Sequence, residues 1–268
     1  MKPAAEPSTL PRALAAQAWA EVQELLDRQL SPLGMRAIDT LRPRQGEVIV
    51  DLGCGTGQTL LQLADKVGAT GRVIGVDISP LLLDVARERT REIKHVSFIG
   101  GDAAALDLPS QSVDAFFSRF GVMAFSDHAA AFSNFQRMLK PGGRIAFVCW
   151  RSLIENELDL LPLRAAGLEH LADPTPFSFE DAGYVRSILE QAGFIDVSVV
   201  AYDEAVTSGD VEAMTTVLMK VGPLGRIIRE TPSLRAAAEP RVRAALTSLG
   251  SPARVALNAA TWIVSART

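Results

Sequence analysis

The segment Asp51-Leu52-Gly53-Cys54-Gly55-Thr56-Gly57 constrains this chain more than any other. It follows Val48-Ile49-Val50, a β-branched run suited to a buried parallel strand. It precedes Leu60, Leu61, Leu63, Ala64 and Val67, which recur at helical spacing. Strand, glycine turn and helix in that order begin a β-α-β unit. Open α/β sheets bind ligands at such turns, beyond the carboxyl ends of the strands. Glycine lets the chain turn tightly and lets a ligand come close to the backbone. A helix starting near Gln58 would offer its free N–H groups at the same place.

The same alternation continues. Strands are predicted at Arg72–Asp77, Val96–Ile99, Val113–Phe117 and Arg144–Trp150. Between them lie a helix from Pro80 to about Ile93 and another marked by Phe132, Phe135, Met138 and Leu139, which stops at Lys140-Pro141-Gly142-Gly143. Repeated β-α-β units build a mostly parallel sheet with helices on both faces, an α/β class. Ahead of this core, residues 1–11 read as a proline-spaced tail. A helix is expected from Leu14 to about Leu30, a break at Ser31-Pro32 and Gly34, and a short helix from Met35 to Leu41. Past Trp150 the alternation loosens into a helical excursion (151–176), a helix opened by Ser178-Phe179-Glu180-Asp181 and capped by Gly193, and a strand from Phe194 to Ala201. A helical stretch with breaks at Gly222-Pro223, Pro232 and Pro240 follows (209–248), then a final strand, Val255–Ala266. Three regions result: an N-terminal helical lid (1–45), a ligand-binding core (46–150), and a C-terminal part (151–268) that completes the sheet and carries helical covers at 151–176 and 209–248.

Composition narrows the partners. A net charge of −4 over 268 residues lacks the basic field of a bulk nucleic-acid binder. Two cysteines, Cys54 and Cys149, cannot form a secreted-type disulfide framework, and His95, His128 and His170 have no metal-ligand spacing, so no metal is predicted. The first residues lack the apolar core of a signal peptide, and no apolar run reaches the ~18 residues of a membrane span. A cytoplasmic protein is expected, monomeric or homodimeric.

The turn itself selects among ligands. A dinucleotide site wants Gly-x-Gly-x-x-Gly, but the third position is Gln58 counted from Gly53 and Leu60 counted from Gly55. The Gly-Lys-Ser/Thr of a P-loop is absent. Asp51, at the strand end, would repel a pyrophosphate and favour a cationic group. Asp77 ends the second strand, where an acidic residue accepts hydrogen bonds from ribose hydroxyls. Asp102-Ala103 follows the third strand, where a further edge contact falls. A nucleoside with a cationic, amino-acid-like end fits this set better than phosphates do.

These residues resemble the class I S-adenosylmethionine-dependent methyltransferases, in the small-molecule branch similar to the ubiquinone and menaquinone C-methyltransferases. The resemblance covers Val48 to Trp150. It runs through the glycine turn, Val76-Asp77-Ile78-Ser79, Gly101-Asp102-Ala103, Asp107-Leu108-Pro109, Phe116-Phe117-Ser118-Arg119-Phe120 and Leu139-Lys140-Pro141-Gly142-Gly143-Arg144. It implies a Rossmann-like sheet of seven strands, the last antiparallel and supplied by Val255–Ala266. It implies S-adenosyl-L-methionine as cofactor and methyl transfer to a small molecule. Gly53, Cys54, Gly55 and Gly57 would line the methionine and ribose, and Asp51 would sit near the amine. Asp77 would hold the ribose hydroxyls and Ile78 would pack on adenine. Asp102, with Ala103 beside it, would bond the adenine amino group, and Ser118 and Arg119 would touch the methionine end.

No catalytic residue is legible. Methyl transfer needs a base only when the acceptor must lose a proton. Asp127 and His128 are the candidates, although Ser126 or Asp127 as cap of the next helix is the favoured reading. Cys54 suits the loop as a small residue rather than a nucleophile, and Cys149 reads as core. Trp19 either folds over the pocket as part of the lid or, the favoured reading, fills a helix–sheet groove on a helix that borders the site, and Trp150-Arg151 either borders the substrate pocket or packs. The arginines between Arg226 and Arg254 read as a solvated face. The alternatives are a methyltransferase acting on protein or RNA, a nicotinamide-dependent oxidoreductase, and a cofactor-binding partner without turnover. The strand end Ser118-Arg119-Phe120-Gly121 is not the Asn/Asp-Pro-Pro-Tyr/Phe of adenine N-methylating enzymes, and no Pro-Cys pair of the cytosine C5 kind follows it.

Overall fold

The computed structural model describes residues 9–251 and 253–268. The first eight residues of the expected proline-spaced tail lie outside that range, and the chain is helical from Thr9. Two N-terminal helices, α1 (Thr9–Glu21) and α2 (Gln23–Leu41), lead into β1 (Val48–Leu52), α3 (Gln58–Val67), β2 (Arg72–Asp77), α4 (Pro80–Arg89), β3 (Val96–Gly100), β4 (Val113–Arg119), α5 (His128–Met138) and β5 (Leu139–Trp150). Then come α6 (Glu157–Ala166), α7 (Ala182–Gln191), β6 (Ile195–Gly209), α8 (Val211–Leu218), α9 (Gly222–Glu230), α10 (Arg235–Thr247) and β7 (Val255–Arg267).

The seven strands form one sheet in the order β3-β2-β1-β4-β5-β7-β6. β1 to β5 are parallel, and β7 runs antiparallel between β5 and β6. Consecutive strand residues point to opposite faces, and here both faces are covered. Ile49, Phe117 and Val148 pack on the side of α2, α3 and α6, whereas Val50, Phe116 and Phe147 pack on the side of α5 and α7. Double-sided burial explains the near-continuous apolar strands. The order reverses between β1 and β4, and that reversal leaves a crevice at their carboxyl ends.

Several boundaries differ from expectation. The N-terminal break falls at Val22, and α2 runs on through Ser31, Pro32 and Gly34. An internal proline costs a helix roughly 3 kcal/mol. The buried stripe Leu26, Leu30, Leu33, Ala37, Ile38 and Leu41 offsets that cost by apolar burial against β5 and β6. Gly34 leaves room for another element: a Cβ there would lie 3.0 Å from Cδ of Arg119. β5 begins at Leu139, five residues earlier than expected, since Leu139 pairs with Val113 across a bulge. The helix at 178–193 starts at Ala182, where the Asp181 carboxylate accepts from the amides of Gly183 and Tyr184. β6 extends to Gly209 because β7 pairs with it along its length. Pro240 lies inside α10 and does not break it.

Candidate active site

The glycine turn joins β1 to α3 at the point of strand-order reversal. The amides of Gly53 and Cys54 both bond to Val76 O, at 2.8 and 3.0 Å, which clamps the turn to the end of β2. Gly53 holds φ +72°, and a Cβ on it would lie 2.9 Å from Cα of Gly121 in the loop after β4. A side chain there would push the two halves of the crevice apart. Around Gly55 a Cβ would meet nothing within 4 Å, so the backbone faces open space where a ligand can approach.

Both predicted acids stand at this crevice. Asp51 is fully buried; Thr59 donates its hydroxyl to Oδ2 at 2.5 Å, and Oδ1 has no partner. A buried acceptor without a hydrogen bond is costly. Burial pushes the Asp51 carboxyl up to about 7 against the lowering effect of Thr59. An ammonium group at Oδ1 would relieve both penalties, and this orphaned oxygen is the feature that best fits the amine of the cofactor. Asp77 accepts from the amides of Gly55 (2.8 Å, Oδ2) and Ser79 (2.9 Å, Oδ1). Those bonds hold its carboxyl lower, but burial dominates and raises it. A carboxylate can accept about four hydrogen bonds, so acceptor capacity remains for hydroxyls.

The remaining predicted residues divide. Ile78 is 51% exposed beside Asp77, an apolar surface without cover. Asp102 is exposed and caps a short 3₁₀ turn through the Ala104 amide at 2.9 Å, with Ala103 buried next to it. The Ser118 hydroxyl donates to Leu52 O at 2.7 Å and accepts from the Gly121 amide at 3.1 Å, so it ties β1 to the loop after β4. Arg119 donates to Gln58 Oε1. Gln58 in turn donates to Asp27 O at 3.0 Å, and Arg89 pairs with the Asp27 carboxylate at 2.5 Å. Through this chain α2 is docked over the glycine turn. Cys54 is buried against Gly75, and burial raises its thiol well above the ordinary range, which is a packing role. Cys149 is fully buried in the core.

A cavity of about 350 Å³ opens at the ends of β4 and β5. Trp19, Phe120, Met123 and Trp150 line it together with α2, α6 and α9. Phe120 and Trp150 stack with ring centroids 3.9 Å apart. Phe120 holds φ +61°, a strained conformation for a bulky residue, of the kind that clusters at functional sites. Trp19 therefore borders this cavity. A more open hollow of about 630 Å³ runs along α10 alone, away from the strand ends.

Asp127 and His128 are not among the residues lining this cavity. Asp127 caps α5 through the Ala130 amide. His128 contacts Tyr184 Oη at 2.9 Å and Met123 O at 3.3 Å, so both ring nitrogens are engaged by protein partners. The structure brings in a carboxyl that sequence reasoning passed over, Asp159 on α6, which is 7% exposed and lines the cavity. An acid inside the apolar run Leu158-Asp159-Leu160-Leu161 was the available signal. Among the described residues no cluster of ligands could hold a metal ion, and no helix is long and apolar enough to cross a membrane.

A glycine turn at the reversal point, two acids at adjoining strand ends and a seven-stranded sheet with antiparallel β7 are the arrangement that the resemblance to the class I S-adenosylmethionine-dependent methyltransferases implies. Residues 49–143 match the family described as "Methyltransferase domain". Among curated proteins, the aklanonic acid methyltransferase DauC of Streptomyces sp. (strain C5) is 35% identical over 119 residues, 44% of this chain and 54% of that enzyme. The match thus spans about half the length of that relative. The demethylmenaquinone methyltransferase of Staphylococcus aureus is 29% identical over 194 residues, 65% of this chain and 78% of that one. Among solved structures, a phosphoethanolamine N-methyltransferase 2 of Haemonchus contortus, in complex with S-adenosylhomocysteine, superposes with a TM-score of 0.55 at 20% identity. It covers 88% of this chain and 52% of that chain, a likeness of fold.

Proposed function

We propose that this protein transfers a methyl group from S-adenosyl-L-methionine to a small-molecule acceptor by in-line displacement. The observation that carries the reading is the orphaned, buried Oδ1 of Asp51 under a glycine turn whose backbone faces open space. In this reading Asp51 receives the cofactor's amine, the backbone of Gly53, Cys54, Gly55 and Gly57 lies along the methionine and ribose, and Asp77 accepts the ribose hydroxyls. Ile78 covers one face of adenine, and Asp102 with Ala103 meets its edge. Arg119 positions Gln58 at the methionine end, and Ser118 fixes the loop shape there.

The bound cofactor supplies a methyl group already activated on a positive sulfur. The chain then has to hold a nucleophile in line and exclude water. The stacked Phe120 and Trp150 and the indole of Trp19 offer flat apolar walls for an aromatic or lipophilic acceptor. We further infer three working parts: a helical lid (1–45), the cofactor-binding core (46–150) and a C-terminal cover (151–268). The two free, buried thiols suit a reducing, cytoplasmic compartment. The net charge of −4 disfavours nucleic acid as the substrate. A monomer or a homodimer is the assembly expected.

The test is incubation with isotopically labelled S-adenosylmethionine and a metabolite extract, followed by mass spectrometry. A labelled +CH₂ product in the solvent-extractable fraction is expected. Label appearing only in RNA or protein would overturn the small-molecule reading.

A further inference from the structure

Asp159 is the chemical oddity of the cavity. It stands in the first turn of α6, and Asn156 donates Nδ2–H to its Oδ2 at 2.8 Å. Asn156 is itself fully buried and accepts from the Ala260 amide of β7 at 3.4 Å, so the pair is anchored to the sheet. Oδ1 of Asp159 has no hydrogen-bond or ion-pair partner among the described residues. It faces Gly222, where a Cβ would lie only 2.9 Å away. Gly222 thus keeps that oxygen clear. An acid nine-tenths buried without a cationic partner does nothing for stability on its own.

We propose that Asp159 is the polar anchor of the acceptor site, taking a hydrogen bond on Oδ1 from an O–H or N–H donor of a molecule whose apolar frame lies against Trp19, Phe120 and Trp150. The acceptor class selected is an aromatic or conjugated molecule that carries one such O–H or N–H donor. This rests on the reading of the cavity as the methyl-acceptor site.

Burial pushes the Asp159 carboxyl up to about 7. Its protonation state therefore changes near neutrality: ionised, it only accepts; protonated, it can donate. The other charged groups packed around it do not compete for this role. On α9, Arg226 pairs with Asp173 and Glu230, and Arg229 donates to Lys220 O. On α10, Arg241 donates to Ala166 O. Glu157 accepts from the Asn258 amide, Glu155 holds Arg151 and Glu169 holds Arg164. Arginines do not titrate near neutrality. His170 is exposed on the turn after α6.

The experiment uses the full chain and three probes: 2-naphthol, which stays neutral, 2-naphthoate, which stays ionised, and naphthalene. Binding is followed by calorimetry between about pH 6 and pH 8.5, with S-adenosylhomocysteine titrated into the same samples. A group titrating at about 7 changes its ionised fraction about tenfold between pH 6 and pH 8. Naphthol affinity is accordingly expected to rise by up to about tenfold with pH, naphthoate affinity to fall, and naphthalene to stay flat. In Asp159→Asn both slopes vanish while S-adenosylhomocysteine affinity stays within about twofold. His170→Gln keeps both slopes. Equal slopes for naphthol and naphthoate in the unmodified protein would overturn the proposal without any variant. So would opposed slopes that persist in Asp159→Asn. Failure to bind S-adenosylhomocysteine, with the naphthol slopes intact, would sink the methyltransferase reading and leave the anchor standing.

Discussion

Thr59, in the first turn of α3, donates its hydroxyl to Oδ2 of Asp51 at 2.5 Å, and this single bond turns the other oxygen of Asp51 toward a buried place with no partner. Removing the orphan should therefore separate its electrostatic role from its packing role. The ionised form of Asp51 attracts an ammonium group, and burial raises its carboxyl to about 7. Affinity for S-adenosylmethionine should rise several-fold from about pH 6 to pH 7.5, then fall as the α-amino group of the ligand loses its proton near 8. In Asp51→Asn the rising limb is lost. Calorimetry across this range checks it; an unchanged rising limb in the variant would assign it to another group.

Asp77 carries the ribose contact in this reading. Asp77→Ala should weaken cofactor binding by more than about tenfold, the loss expected for a charged hydrogen-bonding group. The same substitution frees the Gly55 amide, so Asp77→Asn serves as the milder comparison and should fall between the two. Equal affinity in all three proteins would remove Asp77 from the site.

Gly53→Ala should be the most damaging small change in the turn. It combines a left-handed φ of +72° with a Cβ 2.9 Å from the Gly121 backbone. A stability loss of about 1–3 kcal/mol in denaturant unfolding is expected, together with loss of cofactor binding. Gly55→Ala keeps the backbone strain without the clash and should cost less.

His128→Gln tests whether the histidine after β4 is structural. Its contacts to Tyr184 and Met123 join α5, α7 and the loop between β4 and α5. Stability should drop by about 1 kcal/mol, with methyl transfer unchanged within about twofold. A loss of turnover at intact stability would make His128 catalytic.

Stability in the absence of ligand should fall as the pH rises. Both Asp51 and Asp159 have their carboxyls raised to about 7 by burial, from 3.8. A group with a raised folded value favours the folded state while protonated, and that contribution is lost as pH climbs through the unfolded value toward the folded one. Thermal melts should show a decline between about pH 4 and pH 7. Asp159→Asn should be the more stable protein at about pH 8, by an amount on the order of a few kcal/mol. A variant less stable than the parent at that pH would mean that the carboxylate has a cationic partner in solution.

The core was legible because its local signals agree with its tertiary role. Val48-Ile49-Val50, the glycine turn and Asp77 each sit where strand period, turn chemistry and helix start coincide. The N-terminal helices were less so: Pro32 and Gly34 read as a break, while long-range packing of Leu33 and Ile38, and the approach of Arg119 to Gly34, hold the helix through them. The cavity at the ends of β4 and β5 was hidden for a related reason. Trp19, Phe120, Trp150 and Asp159 come from four separate elements, and no periodicity links them. The Ser118 hydroxyl is engaged with Leu52 and Gly121, bonds that only the folded crevice creates.

Calorimetric titration of the purified chain with S-adenosylhomocysteine, beside Asp77→Ala and with NAD as a second ligand, is the most direct measurement. One-to-one binding of the nucleoside that is weakened more than about tenfold in the variant, with no heat from NAD, is the expected result. Saturable NAD binding with no response to S-adenosylhomocysteine would contradict it.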